Sequence, residues 1–198
     1  MRNKFVEIKF CDIKHIAQAL LNIIDDYDFD TVVCISKSGY LVGKELSLIS
    51  ESQFLEIESK RLGVDEKSKY LPQIVNKFPK NLIYFLKKYE RKISYYDVNE
   101  ERTLYYDEDL YKKVEPRKIL IFDDAIDTGY TIDKVTDKVK SIYSDANIKT
   151  AVLNYYTDRN VNAPDYYLYS DAILSAPWTI DSKEFPAFIK LYKNKSKK

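Results

Sequence analysis

The chain has 198 residues, 45% of them hydrophobic and 32% charged, with 32 basic against 31 acidic side chains and a net charge of +1. That length fills one well-packed core, and the balanced charge gives no global field that would draw the chain to nucleic acid or a membrane. A single histidine, His15, rules out zinc sites built on two histidines and leaves any His-dependent triad one candidate.

In chain order, "KFVEIKF" near-alternates and reads as an edge strand, not as the apolar core of a signal peptide. Asp12 is placed as an N-cap, because Ile13, Ile16, Ala17, Leu20, Leu21, Ile23 and Ile24 follow at helical spacing, and His15 falls on the polar side of that helix. "TVVCIS" is a continuous β-branched run that suits a strand buried on both faces of a parallel sheet. A "KSG" loop, a helix to about residue 50 and the strand "QFLEIES" complete a right-handed crossover unit. Cys11 and Cys34 lie in apolar company and read as reduced core residues, which predicts a cytoplasmic protein.

Residues 60–91 break the rhythm. Pro72 and Pro79 punctuate what reads as two short helices with Leu82, Phe85, Leu86 and Tyr89 as an apolar stripe, an inserted helical segment. The stretch 95–117 is polar, dotted with tyrosines and without periodicity, and is expected to be a mobile lid. A strand over 118–123, a helix over about 131–141 and the strand "KTAVLNYY" come next. Residues 155–198, with "PDYYLYSDAILSAPW" as short strands and turns and "SKEFPAFIKLY" as a closing helix or extended segment, are expected to form a C-terminal hood. The alternation of elements implies a single three-layer α/β domain over 1–198. The apolar runs are too short to span a membrane, and the basic tail "KNKSKK" reads as a solubilising end.

The chemistry concentrates in "KILIFDDAIDTGYT". Adjacent carboxylates at Asp123 and Asp124 repel each other unless a cation, a donor-rich ligand or water surrounds them. Helix capping accounts for Asp127 and Thr128 but not for two acids at the carboxyl end of a strand, the edge where α/β sheets bind ligands. "DDAID" also matches the DDxxD magnesium motif of isoprenoid synthases. That motif belongs on a helix, whereas here it follows a strand. A strand feeding "DTGYT" and then a helix instead builds an anion cradle from backbone amides, with Gly129 free to take positive φ and Thr128 and Thr131 adding hydroxyls. Asp123 and Asp124 would accept from vicinal hydroxyls, so a sugar phosphate satisfies both halves.

"ILIFDDAIDTGYT" closely resembles the phosphoribosyl-pyrophosphate motif of type I phosphoribosyltransferases. Among these the pattern is most similar to the bacterial purine enzymes, acting on xanthine-guanine or hypoxanthine. The resemblance implies that Asp123 and Asp124 hold the ribose hydroxyls and, mostly through those hydroxyls and water, a Mg2+ ion. It implies that Asp127, Thr128, Gly129, Tyr130 and Thr131 bind the 5-phosphate, with Asp127 also managing the proton of the base. Ser36, Lys37, Ser38 and Gly39 resemble the pyrophosphate loop, where relatives often carry a cis peptide at or beside the position of Lys37-Ser38. Lys37 would supply the catalytic cation. Tyr95, Tyr96 and Arg102 resemble the start of the lid. Tyr155, Tyr156, Ile173, Leu174 and Trp178 would line the base.

The resemblance implies a type I phosphoribosyltransferase fold with a parallel sheet of about five strands, a hood and an inserted helical segment. It also implies a transfer of ribose 5-phosphate to a base, probed by phosphoribosyl pyrophosphate and a purine-like acceptor as partners, in a homodimer. Purine members place a lysine where this chain has "NYYTD", and the acid expected after Pro177-Trp178 is Thr179, with Asp181 two positions on. Those departures keep open a non-catalytic sensor of phosphoribosyl pyrophosphate.

Overall fold

A computed structural model describes residues 4–61, 102–157 and 162–195. The expected helical segment at 60–91 and the lid tyrosines Tyr95 and Tyr96 fall outside them, apart from Lys60 and Arg61 at a strand end. The strands are β1 (Phe5–Glu7), β2 (Thr31–Ser36), β3 (Gln53–Arg61), β4 (Arg102–Tyr106), β5 (Lys118–Ile126), β6 (Asn147–Tyr155), β7 (Tyr166–Ser170) and β8 (Ile173–Ser175). The helices among the described residues are α1 (Ile13–Leu21), α2 (Tyr40–Ile49), α3 (Glu108–Lys112), α4 (Tyr130–Ile142) and α5 (Phe185–Lys195). None of them is long and apolar enough to cross a membrane.

The main sheet has six strands in the order β4-β3-β2-β5-β6-β7, and β1 pairs in parallel with β8 in a separate two-stranded sheet. All pairs of the main sheet are parallel except β3–β4. The unbroken apolar runs of β2 and β5 are explained by two cores, one on each face. Val32, Cys34, Leu120 and Phe122 join the core under α1, α2 and α5, while Val33, Ile35, Ile119 and Ile121 join the core under α4. The fold is thus an α/β three-layer arrangement with one strand more than the five expected.

That extra strand comes from the segment read as a lid. Residues 102–106 pair antiparallel with β3, from Ile57↔Tyr106 to Arg61↔Arg102, and the Arg102 carbonyl accepts from the Lys134 ammonium. Asp107 then caps α3 by accepting from the Leu110 amide at 3.0 Å, and Tyr111 is 1% exposed, packed on Tyr106 and Tyr143. The described part of 95–117 is therefore framework. The residue types "RTLYY" suit an edge strand, and the Asp107 cap supplies the helix start that the missing periodicity concealed.

Two smaller expectations also change. Asp12 does not cap α1 through its side chain but sits in a 3-10 turn and accepts from the Lys9 amide at 2.8 Å. Both cysteines are free, yet only Cys34 is a core residue, because Cys11 lies exposed on that turn. His15 is exposed, as its place in the helical pattern predicts.

Candidate functional site

The strand order reverses between β2 and β5. From β2 the chain moves outward to β3 and β4, and it then returns to the other side of β2 as β5 and continues outward to β6 and β7. Connections leaving the carboxyl ends of two such neighbours diverge and open a crevice between them. Those two ends carry the loops singled out in the sequence, 36–39 after β2 and 127–129 after β5. The pairing Cys34↔Phe122, carried two residues on, sets Ser36 level with Asp124.

After β2 the chain turns at once into α2, and the Ser36–Lys37 peptide is cis, beside the Lys37-Ser38 position. Gly39 has a specific reason to be glycine. A Cβ there would stand 2.7 Å from the Ile35 carbonyl oxygen and 3.3 Å from that of Phe122, so only a bare backbone fits between β2 and β5. Lys37 is exposed at the mouth and Ser38 half-buried, its hydroxyl 3.4 Å from Asp123 Oδ1, so the first loop reaches the end of β5.

After β5, Gly129 takes φ 75°, the left-handed region, and forms the N-cap of α4. The first turn closes with the Asp133 amide donating to the Gly129 carbonyl at 3.0 Å. The amides ahead of Asp133 have no acceptor within the helix, the arrangement by which a helix start can receive an anion. Thr128, Tyr130 and Thr131 are half-buried around it, as is the Asp127 side chain.

Asp123 is 7% exposed, and its Oδ1 accepts from the Asp124 amide at 2.8 Å. Burial first, and then the charge of Asp124, pushes the Asp123 carboxyl well above the ordinary aspartate range. Burial also raises Asp124, opposed by hydrogen bonds from Ser38 and from the Trp178 indole, whose Nε1 donates to Asp124 Oδ2 at 2.8 Å. A buried and a half-buried carboxyl side by side, both with raised pKa, gain from a partner rich in donors or accompanied by a cation. Among the described residues no group of three or more His, Cys, Asp or Glu side chains could hold a metal ion. A magnesium ion therefore fits here only as one that shares its ligands with a bound phosphate and sugar, with Asp123 and Asp124 as the protein's acidic contribution.

The expected base-lining residues separate into groups. Tyr155 ends β6 opposite Ile126, and the Tyr156 amide donates to the Ile126 carbonyl at 3.4 Å, so both share an edge with the 127–131 loop. The Tyr155 ring packs 5.7 Å from that of Tyr167. Ile173 and Leu174 are buried in β8 against β1, and Trp178 is 7% exposed, held in a turn where the Thr179 amide donates to the Ala176 carbonyl at 2.8 Å. Trp178 thus serves Asp124 more directly than it offers an open face. Arg102 stands at the start of β4.

Two contributors were not foreseen. Fully buried Asn154 on β6 donates to the Ala172 carbonyl at 3.1 Å and accepts from its amide at 2.9 Å, fixing the turn between β7 and β8. Glu56 on β3 receives the hydroxyl of Ser36. The only sequence signal for Glu56 is an acid on the strand position that alternates with apolar Leu55 and Ile57.

Against known proteins, the profile of the phosphoribosyl transferase domain matches residues 10–181. The chain belongs to the phosphoribosyltransferase domain family. Its fold is shared with solved structures of low sequence identity. A purine phosphoribosyltransferase from Pyrococcus horikoshii Ot3 is 20% identical with a TM-score of 0.58, over 87% of this chain and 93% of that one. The xanthine-guanine-hypoxanthine phosphoribosyltransferase of Helicobacter pylori is 13% identical with a TM-score of 0.61, over 92% and 99%. A hypothetical protein from Neisseria gonorrhoeae with bound ppGpp is 16% identical with a TM-score of 0.59, over 98% and 99%. At these identities the likeness concerns the fold. No curated protein matches the chain.

Proposed function

We propose that this phosphoribosyltransferase-family chain is an enzyme that transfers ribose 5-phosphate from phosphoribosyl pyrophosphate to a ring nitrogen of a purine-like base. The observation that supports the reading is that the 36–39 and 127–131 loops leave the adjacent ends of β2 and β5 at the switch point of the sheet, with Asp123 and Asp124 at the end of β5 and Ser38 bonded to Asp123. A ligand with phosphate at one end, pyrophosphate at the other and a diol between them satisfies all three at once.

In the reaction the base nitrogen forms a bond to the ribosyl C1 while the C1–O bond to pyrophosphate breaks, the oxygen keeping the electron pair. Asp123 and Asp124 orient the ribose through its hydroxyls. Lys37 and the loop amides hold the negative charge that grows on the leaving group. Asp127, at the start of the cradle, takes the proton the base nitrogen loses. Bound with the substrate, magnesium would screen the pyrophosphate charge. Much of the rate would come from positioning, which suits loops fixed by glycine packing and side-chain bonds.

The base is read at the end of β6. Tyr155 and Tyr156 are the candidates there, and Tyr156 is the one whose amide bonds the Ile126 carbonyl beside the 127–131 loop. A tyrosine hydroxyl can donate to an exocyclic oxygen or accept from an amine, where a lysine could only donate. The same substitution favours a second reading, a regulator that binds phosphoribosyl pyrophosphate or a guanosine nucleotide without turnover. The Neisseria protein, solved with ppGpp bound, lends it a precedent in this fold. A pyrophosphate-release assay with magnesium, phosphoribosyl pyrophosphate and a panel of bases decides between them. Release with a purine supports the enzyme, and tight binding without release with any base supports the regulator. The homodimer and a lid at Tyr95 and Tyr96 belong to this proposal as what the resemblance implies, with Arg102 in β4 at its foot, and the cytoplasmic setting belongs to it as what the cysteines predict.

A further inference from the structure

Glu56 lies on the α2/α5 face of β3, where its neighbours in the alternation pack into the opposite core. Three donors converge on its Oε1: the Ser36 hydroxyl, the Tyr192 hydroxyl at 2.8 Å and the Lys195 ammonium. Ser36 begins the 36–39 loop. Tyr192 and Lys195 belong to the last turn of α5, far away in sequence. The Lys195 ammonium also sits over two rings, 3.7 Å from the centroid of Tyr192 and 4.2 Å from that of Tyr40. Those rings meet edge to face, with centroids 5.3 Å apart. Tyr40 is the first residue of α2, immediately after the loop.

The end of α5 therefore grips the loop on both sides, through Glu56 at Ser36 and through the Lys195 ammonium at Tyr40. We propose that Glu56 is a positioning residue for the 36–39 loop, held in register by Tyr192 and Lys195, and that it sets affinity for the pyrophosphate end of the substrate. The proposal rests on the reading of 36–39 as a pyrophosphate loop. An apolar side chain at position 56 would often stabilise such a half-buried site as well as the ionic network does. The distinctive consequence of the network is thus where it puts Ser36 and the amides that follow. The bonds of Glu56 and the end of α5 run to the 36–39 side, whereas the 127–131 turn is built after β5, so the two ends of the substrate should respond differently.

The test is calorimetric titration of the full chain, with magnesium, by pyrophosphate and separately by ribose 5-phosphate. Glu56→Ala should weaken pyrophosphate binding about tenfold, the effect of losing a charge-assisted hydrogen bond that orders the loop. Ribose 5-phosphate affinity should stay within about twofold, since it depends on the other loop. Glu56→Gln keeps an acceptor for both hydroxyls and should recover most of the loss. Lys195→Met, at the end of a helix, should weaken pyrophosphate about threefold, and it carries the test if Glu56→Ala does not fold. Equal losses for both ligands would mark a merely structural role, and unchanged pyrophosphate affinity would mean no role; either overturns the proposal. A wild-type chain that binds ribose 5-phosphate but not pyrophosphate removes the loop assignment, and one that binds neither removes the functional reading with it.

Discussion

Asp123 and Asp124 are where the chain departs furthest from what a stable empty protein would choose. An aspartate whose folded pKa lies above its ordinary value of 3.8 holds a proton in the folded state that the unfolded chain releases. Its favourable contribution is complete below that ordinary value and is lost as pH rises through the raised folded pKa, so at neutral pH the pair weighs against the fold. The expected outcome is that Asp123→Asn with Asp124→Asn melts higher than wild type at pH 7, with the gap shrinking towards pH 4. If the substitution relieves about 1 kcal/mol, a chain of this size gains about 2–4 °C. Differential scanning calorimetry across pH checks the sign, and a double variant that melts lower at pH 7 would assign the pair a structural role. The same variant should lose measurable binding of ribose 5-phosphate, because an amide is a weaker acceptor for the diol.

Also at this scale, Tyr156→Phe should raise the Michaelis constant for the base several-fold, the cost of one hydrogen bond, and leave that for phosphoribosyl pyrophosphate unchanged. An identical shift for both substrates, or none for the base, would move base recognition elsewhere.

Among the elements, α3 separates what periodicity can and cannot reveal. Tyr111 is buried at 1% exposure, its ring near those of Tyr106 and Tyr143 and its hydroxyl 3.3 Å from the Glu56 carbonyl. Tyr111→Ala should destabilise the fold by about 3 kcal/mol, as large aromatic deletions in cores do. Thermal melting should fall by about 6–12 °C. A change within experimental error would return 107–113 to the status of a mobile cover.

The sequence conceals this element because its one buried residue is a tyrosine. Tyr105 is exposed, Tyr106 half-buried and Tyr111 buried, places that no hydropathy pattern distinguishes, and a five-residue helix is shorter than two turns of periodicity. β2 and β5 were legible for the opposite reason: burial on both faces leaves an unbroken apolar run that no loop would carry. The phosphate loops were legible through their glycines and acids, whose types are dictated by φ, close approach and charge. The Trp178–Asp124 bond, the Asn154 bridge and the Glu56 grip were not, since each joins residues 18 or more positions apart through a side chain that would be unexceptional in either segment alone.

At the scale of the whole molecule, three parts of the chain meet at one edge of the sheet. Beyond the pairing of β2 with β5, side-chain bonds tie β2 and its loop, β5 and the C-terminal segment together there: Ser38 to Asp123, Trp178 to Asp124, and Glu56 to Ser36, Tyr192 and Lys195. A ligand that spans both loops adds contacts beyond the ends of the paired strands, and it binds only when both loops are folded together. Phosphoribosyl pyrophosphate with magnesium should therefore raise the melting temperature. At a concentration one hundred times its dissociation constant the stabilisation is about 2.7 kcal/mol. For a chain of this size that corresponds to roughly 5–11 °C. Ribose 5-phosphate and pyrophosphate, added separately at the same concentration, should each give a smaller shift, because each engages one loop and leaves the other to order itself. Thermal melting with the three ligands in parallel measures this directly. If the whole donor stabilised no more than the better of its two halves, the loops would not be acting on one molecule, and the crevice between β2 and β5 would have to be read as two unrelated anion sites.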